Sequence, residues 1–162
     1  MKKGEKGIFI VIGVAITSIV AVKAMLGHYN TADDPGIPYY STATKDVADR
    51  ALLIYKKNDC KSCHSLWTNR DIMRTVPAPP LDGIGSIRSE KFFYEYFSAK
   101  DPKTILPSRL KQEFQMPSYA HLPEEDRRIL ASYMSSLKVE DWYLEETRKR
   151  EYEKLTGKKY KQ

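Results

Sequence analysis

Cysteine and histidine are scarce in this chain. Two cysteines, Cys60 and Cys63, stand among 162 residues, with three histidines, His28, His64 and His121. Both thiols sit in one short motif, so none is left to cross-link distant segments, and a disulfide-stapled scaffold is excluded. A structural zinc site needs a further Cys or His pair at ligand spacing, and His28 and His121 stand far apart. A thioredoxin-like dithiol needs a βαβ setting, and no such pattern surrounds Cys60. Charge of one sign is also thinner than it looks. The chain is formally +6, but half of that excess lies in residues 1–26, which hold four lysines and one glutamate. The remainder is nearly balanced and has no basic run with interleaved aromatics before its tail, which argues against nucleic acid as a partner. No acid–base or nucleophile constellation stands out, so the chain is not expected to be an enzyme by itself. Much of the aliphatic content falls in the first 26 residues. The rest has a thin core for its size, which a large apolar cofactor would help to fill.

What the chain does have is Cys60-Lys61-Ser62-Cys63-His64. Two thiols two residues apart, followed at once by an imidazole, form the attachment signature of a c-type haem. The spacing has a chemical reason. Cysteines on one tight turn reach two vinyl groups along one side of the macrocycle, and the next residue projects beneath the iron. Cys60 and Cys63 are therefore expected to hold one haem c through thioether bonds. His64 is expected to ligate its iron, with the other ring nitrogen donating a hydrogen bond that fixes the ring.

The sixth coordination position has several candidates: Met116, Met134, Met73, His121, or none. Met116 lies on an irregular segment a few residues before the last domain helix. Pro117 stiffens the turn after it, so it can swing over the opposite haem face. Met134 falls on an apolar helix stripe and suits core packing. Met73 is close to the attachment motif and on the wrong side, and His28 suits the surface. Met116 is the expected ligand. His/Met ligation raises the reduction potential and closes the iron to small ligands, which suits electron transfer. An open site would instead suit a haem-based ligand sensor or a peroxidase-like protein.

The amino terminus supplies a location. Residues 7–26 form about twenty nearly uncharged residues, long enough as a helix to cross a bilayer core. Lys2, Lys3 and Lys6 precede them, which puts the amino terminus in the cytoplasm and the rest outside it. The competing reading is a cleaved secretion signal, but the apolar run is long for one and no clean small-x-small triplet ends it. Either way the domain is exported. Residues 1–26 are read as a transmembrane anchor, 27–43 as a Pro- and Gly-punctuated linker, 44–138 as the haem domain and 139–162 as a charged extension with helical character. The extension suits either a solvated tail or a docking segment for a partner subunit or anionic lipid.

Within 44–138 the pattern predicts three helices. Thr44 caps the first, which presents Val47, Ala51, Ile54 and Tyr55 on one face and runs into the cysteine motif. A long irregular stretch follows to about Ser86, rich in proline and glycine, as expected of a loop that covers something. Ser89 starts a second helix with Phe92, Phe93, Tyr96 and Phe97 as a broad aromatic face. The third begins after Pro123 with three acids in its first turn, and Ile129, Leu130, Tyr133, Met134 and Leu137 make its buried stripe.

These features resemble the mono-haem class I cytochromes c. The resemblance covers about residues 44–138. It rests on Cys60-Lys61-Ser62-Cys63-His64, on Pro79-Pro80-Leu81 with Gly83, and on Met116-Pro117-Ser118-Tyr119 ahead of the final helix. It implies an all-α, class I cytochrome c fold with an added amino-terminal transmembrane helix. It also implies that the Pro79 carbonyl accepts the hydrogen bond from His64 and that Leu81 packs on the haem, although Ala78 stands where the family usually has glycine. An anchor followed by one such domain is similar in layout to the cytochrome c subunits of nitric oxide reductases and haem–copper oxidases. The expected protein is a carrier of single electrons on the periplasmic face of a bacterial inner membrane. It would serve as a subunit or tethered partner of a respiratory or other redox complex.

Overall fold

The computed structural model describes residues 3–30, 36–69, 76 and 78–161. The chain divides into two units, Met1–Ile37 and Pro38–Gln162.

The first unit contains the helix α1, Lys3–Asn30, which runs four residues beyond the expected end of the anchor. Its stretch Gly7–Met25 is 19 residues long, apolar and unburied within the unit. At 1.5 Å per residue that stretch is ~28 Å long, a match for a bilayer core and compatible with a membrane anchor. The two hydroxyls inside it are satisfied by their own backbone. Thr17 Oγ1 donates to Gly13 O at 3.0 Å and Ser18 Oγ to Val14 O at 2.8 Å, as a helix in an apolar medium requires.

The second unit is mostly helical. It contains α2 (Lys45–Lys57), α3 (Glu90–Ser98), α4 (Glu124–Ser136) and α5 (Leu144–Thr156). The capping residues lie where the sequence expects them. Thr44 Oγ1 accepts from Val47 N–H at 3.4 Å and Ser89 Oγ from Phe92 N–H at 3.2 Å. Three acids, Glu124, Glu125 and Asp126, occupy the first turn of α4, where the helix dipole favours them. Helix α4 packs against both α2 and α3. Ala51 on α2 and Ala131 on α4 are almost wholly buried, and small side chains there let the helices approach closely. Arg50 of α2 also pairs with Glu125 of α4. Tyr133, Met134 and Leu130 turn inward from α4, and Phe93 and Phe97 from α3.

One feature departs from an all-helical fold. Tyr39–Ser41 (β1) pairs antiparallel with Leu137–Val139 (β2), Tyr39 opposite Val139. Hydrogen bonds from Thr42 N–H to Ser136 O (3.0 Å) and from Glu140 N–H to Pro38 O (2.8 Å) extend the ladder at both ends. The segment read as a linker and the start of the segment read as an extension therefore meet in one element. Leu137 is nearly inaccessible but leaves the helix by one residue to join the strand. The extension continues as α5 inside the same unit, and Gly157, whose φ of +68° suits a glycine, caps that helix.

Candidate functional site

The cysteine motif follows α2 without a spacer. Asn58 ends the helix, its side-chain Nδ2 bonded to Ile54 O at 2.8 Å. Asp59 takes a left-handed conformation (φ +50°), and the chain tightens into a 3-10 turn over Cys60–Ser62. Cys63 N–H and His64 N–H both donate to Cys60 O, at 3.2 and 3.0 Å. This winding brings Cys60, Cys63 and His64 to one cavity wall. The two cysteines are not joined to each other in a disulfide. Burial pushes the Cys60 thiol up, and the Tyr119 hydroxyl at 3.9 Å from its sulfur works against that.

His64 is the most constrained of the three. Its Nδ1 lies 2.8 Å from the carbonyl oxygen of Pro79. A carbonyl only accepts, so Nδ1 carries the proton and Nε2 is left with a bare lone pair. A second bond, Leu81 N–H to Ser65 O at 2.9 Å, lays residues 79–81 alongside 64–65 and fixes the ring from behind. Tyr55 Oη adds a bond to His64 O at 3.1 Å. The ring remains partly open to the cavity yet lies deep in the fold. Burial lowers its pKa, and the Pro79 bond opposes that only in part, so the imidazole is neutral.

A tight reversal holds the next stretch. Leu66 and Asn69 exchange two backbone hydrogen bonds, and Trp67 and Thr68 between them both have positive φ (52° and 60°). That is the geometry of a type I′ turn, made here without glycine. The buried Asp82 carboxylate supports it by accepting from Thr68 N–H at 3.1 Å, and Trp67 Nε1 donates to Tyr133 Oη at 3.2 Å.

The cavity is about 660 Å³, within the range of pockets that hold a cofactor. Phe92, Phe93, Tyr96 and Phe97 of α3 form one wall, with Leu81, Ile84 and Leu130 as further apolar lining. Met116 also lines it, from the irregular segment before α4, and is partly buried against the core. Met134 lines the cavity as well, but as a core residue of α4 that is only 3% exposed. His121 is exposed and is not part of the lining. Met73 and the side chain of His28 lie outside the described residues.

Several lining residues escape a sequence reading. Tyr55 and Tyr119 approach the motif through their hydroxyls, although Tyr119 belongs to the quoted Met-Pro-Ser-Tyr run. Glu151, Lys154 and Leu155 come from α5, where the 151-154-155 spacing marks one helix face. Arg88 and Arg109 add cations to the lining.

The residues present suit a covalently held porphyrin. Two thiols share a wall with an imidazole whose free nitrogen can ligate a metal, and a thioether lines the same space. Aromatic surface fits a flat apolar macrocycle. Among the described residues, no cluster of three or more His, Cys, Asp or Glu side chains is placed to hold a bare metal ion.

No curated protein and no solved structure matches the chain. A family model, Cytochrome c, matches residues 48–138, more than half of the chain, and spans both the cysteine motif and Met116. The chain therefore belongs to the cytochrome c family, as a class I c-type cytochrome, an electron-transfer haem protein.

Proposed function

We propose that this protein is a membrane-anchored mono-haem cytochrome c that carries single electrons on the periplasmic face of a bacterial inner membrane. Residues 44–138 form the haem domain, with α1 as its anchor. Cys60 and Cys63 hold one haem through thioethers, and His64 Nε2 and the Met116 sulfur are the axial ligands. Pro79 orients His64, and Leu81 packs on the macrocycle. When bound, the haem supplies a one-electron Fe(III)/Fe(II) couple.

The observation that carries this reading is the 2.8 Å contact between His64 Nδ1 and Pro79 O. It commits one ring nitrogen to the protein and leaves the other as a donor toward a cavity that Met116 also lines. A histidine held this way is a ligand in waiting. The His/Met pair leaves no position for an external substrate, which favours electron transfer over the sensor or peroxidase-like alternative. The anchor and the positive-inside bias of Lys2, Lys3 and Lys6 support the periplasmic side. Partners are redox proteins, met either by a tethered shuttle or within one complex. Stoichiometric subunits that persist in high salt after mild-detergent extraction would distinguish the second from the first.

The ligand assignment is tested by Met116→Ala. The oxidised parent is expected to show the weak far-red band of a methionine-ligated ferric haem, and the variant to lose it while keeping covalent haem. An unchanged band in the variant refutes Met116 as the ligand.

A further inference from the structure

Few hydrogen bonds tie the stretch before Met116 to the rest of the domain, although just beyond it the Ser118 hydroxyl donates to Ala99 O at 2.8 Å. Most of residues 107–117 are exposed. Their hydrogen bonds mainly close on the segment itself: Leu110 N–H to Ser108 Oγ (3.2 Å), Gln115 Nε2 to Leu110 O (2.7 Å) and Phe114 N–H to Lys111 O (2.9 Å). Among the described residues, one hydrogen bond leaves the segment. Arg109 Nε donates to Lys154 O at 3.2 Å.

Lys154 lies in the last turn of α5, where backbone carbonyls have no partner within the helix. The neighbouring Glu153 O is already satisfied by Gly157 N–H at 2.9 Å. Lys154 O sits at the negative end of the helix dipole, where a guanidinium is the fitting donor. Gly157 makes the approach possible. A Cβ there would stand 3.0 Å from Arg109 Nε and 3.2 Å from its Cζ, besides straining a backbone at φ +68°.

The other parts of α5 are fastened to the domain. Thr147 is buried. Arg150 Nη1 donates to Tyr39 Oη at 2.7 Å, which joins α5 to β1. Glu151 pairs with Arg88 at 3.1 Å, with side chains only 14% and 30% exposed, and the Arg88 guanidinium also rests 4.8 Å from the centre of the Phe92 ring. Helix α5 is thus a bracket with a fixed base whose free end meets the Met116 segment. All of it lies beyond the family-matched residues 48–138.

We infer that α5 latches the segment bearing the sixth ligand, and that Arg109 is the positioning residue through which it holds Met116 against the haem face. This rests on the assignment of Met116 above. A segment free to swing lets a neutral thioether leave the iron and an external base take its place. The Arg109 bond shifts that equilibrium toward the closed form by its own free energy.

The test uses the full-length, haem-loaded protein in detergent. Imidazole is titrated into the oxidised parent and into Arg109→Ala, Arg109→Lys and Gly157→Val, with the far-red band reporting methionine ligation. Arg109 is exposed, so its replacement leaves the core intact. Arg109→Ala keeps the band in the absence of imidazole but binds imidazole about fivefold more tightly, the factor that ~1 kcal/mol from one exposed hydrogen bond gives. Gly157→Val shows the same gain from the α5 side, and Arg109→Lys recovers part of the parent's resistance. If the parent has the band, and both Arg109→Ala and Gly157→Val bind imidazole within about twofold of it, the latch alone is overturned. A parent without the band, or a band that survives Met116→Ala, overturns the Met116 assignment and the latch with it.

Discussion

Gly85→Ala should be among the most damaging single-carbon changes in the domain. Gly85 lies in the buried 3-10 turn Ile84–Ser86, which packs on the end of α4. A Cβ on Gly85 would stand 2.2 Å from Ser135 O, 2.5 Å from Ser135 C and 2.6 Å from Met134 O. Ordinary contacts between such atoms begin near ~3.5 Å, so the two segments must part by about 1 Å. All three atoms are backbone, so no side chain can rotate away. The turn is also pinned from β2, by Lys138 Nζ to Gly85 O (2.6 Å) and Val139 N–H to Ser86 Oγ (3.0 Å). Overpacking of this kind costs ~1–3 kcal/mol, and the lack of a yielding partner places this site at the upper end. For a unit of this size that lowers Tm by about 8–12 °C, measured by circular dichroism on the haem-loaded protein. Ile84 and Met134 flank the contact and both line the cavity, so the far-red band should weaken as well. A Tm within about 2 °C of the parent would refute the reasoning, because it would show that the turn can leave α4 at little cost.

Two further predictions concern a helix cap and a buried phenol. Ser89→Ala removes the cap on Phe92 N–H and should cost ~1 kcal/mol, seen as a lower denaturant midpoint with an unchanged m-value; an unmoved midpoint would count against the cap. The Tyr39 phenol is raised to about 12, first by burial and then by its bond with the Tyr143 hydroxyl, against the lowering effect of Arg150. A raised pKa stabilises the fold fully below the unfolded value of ~10, and that contribution is lost as pH rises toward 12. Denaturation series across this window should therefore fall less steeply for Tyr39→Phe than for the parent, and parallel slopes would refute the assignment.

The sequence made some of this legible and hid the rest for physical reasons. Helix starts at Thr44 and Ser89 were readable because a cap is a local bond between a side chain and an amide three residues on. The aromatic face of α3 was readable from its 3.6-residue period, and all four aromatics line the cavity. The reversal at Leu66–Asn69 was not. Its two positive-φ residues are Trp67 and Thr68, where a type I′ turn normally signals itself with Asn-Gly. What holds that turn is the buried Asp82 and Tyr133, fourteen and more residues away in sequence. The β1–β2 pair was hidden for the same reason, since three-residue strands have too short a period to read and their pairing spans nearly the whole domain. The role of α5 in the cavity wall was masked by its charge. Its pattern suits a solvated helix until Arg88 and Arg109 are seen to consume Glu151 and Lys154 O as partners.

That pairing bears on what the cavity can do. Burial raises the phenols of Tyr55, Tyr96 and Tyr119, which keeps them uncharged at neutral pH. His64 is also held neutral, by burial pushing the other way. Around the cysteine motif and α3 the wall thus presents aromatic surface and neutral donors, while Lys100, Asp101, Lys103 and Lys154 carry charge elsewhere in the lining. The two arginines that reach the cavity are already engaged, Arg88 by Glu151 and Arg109 by the end of α5. A site whose charge changes by one unit is relaxed least by groups that are neutral or already paired in a fixed frame, because they have little freedom to follow the change. An enzyme that binds a substrate at its metal would need the opposite, with an open position and a proton donor near it. The apolar wall and the charges clamped by α5 therefore point the same way as the axial pair proposed for His64 and Met116, toward a centre built to gain and lose an electron with little movement.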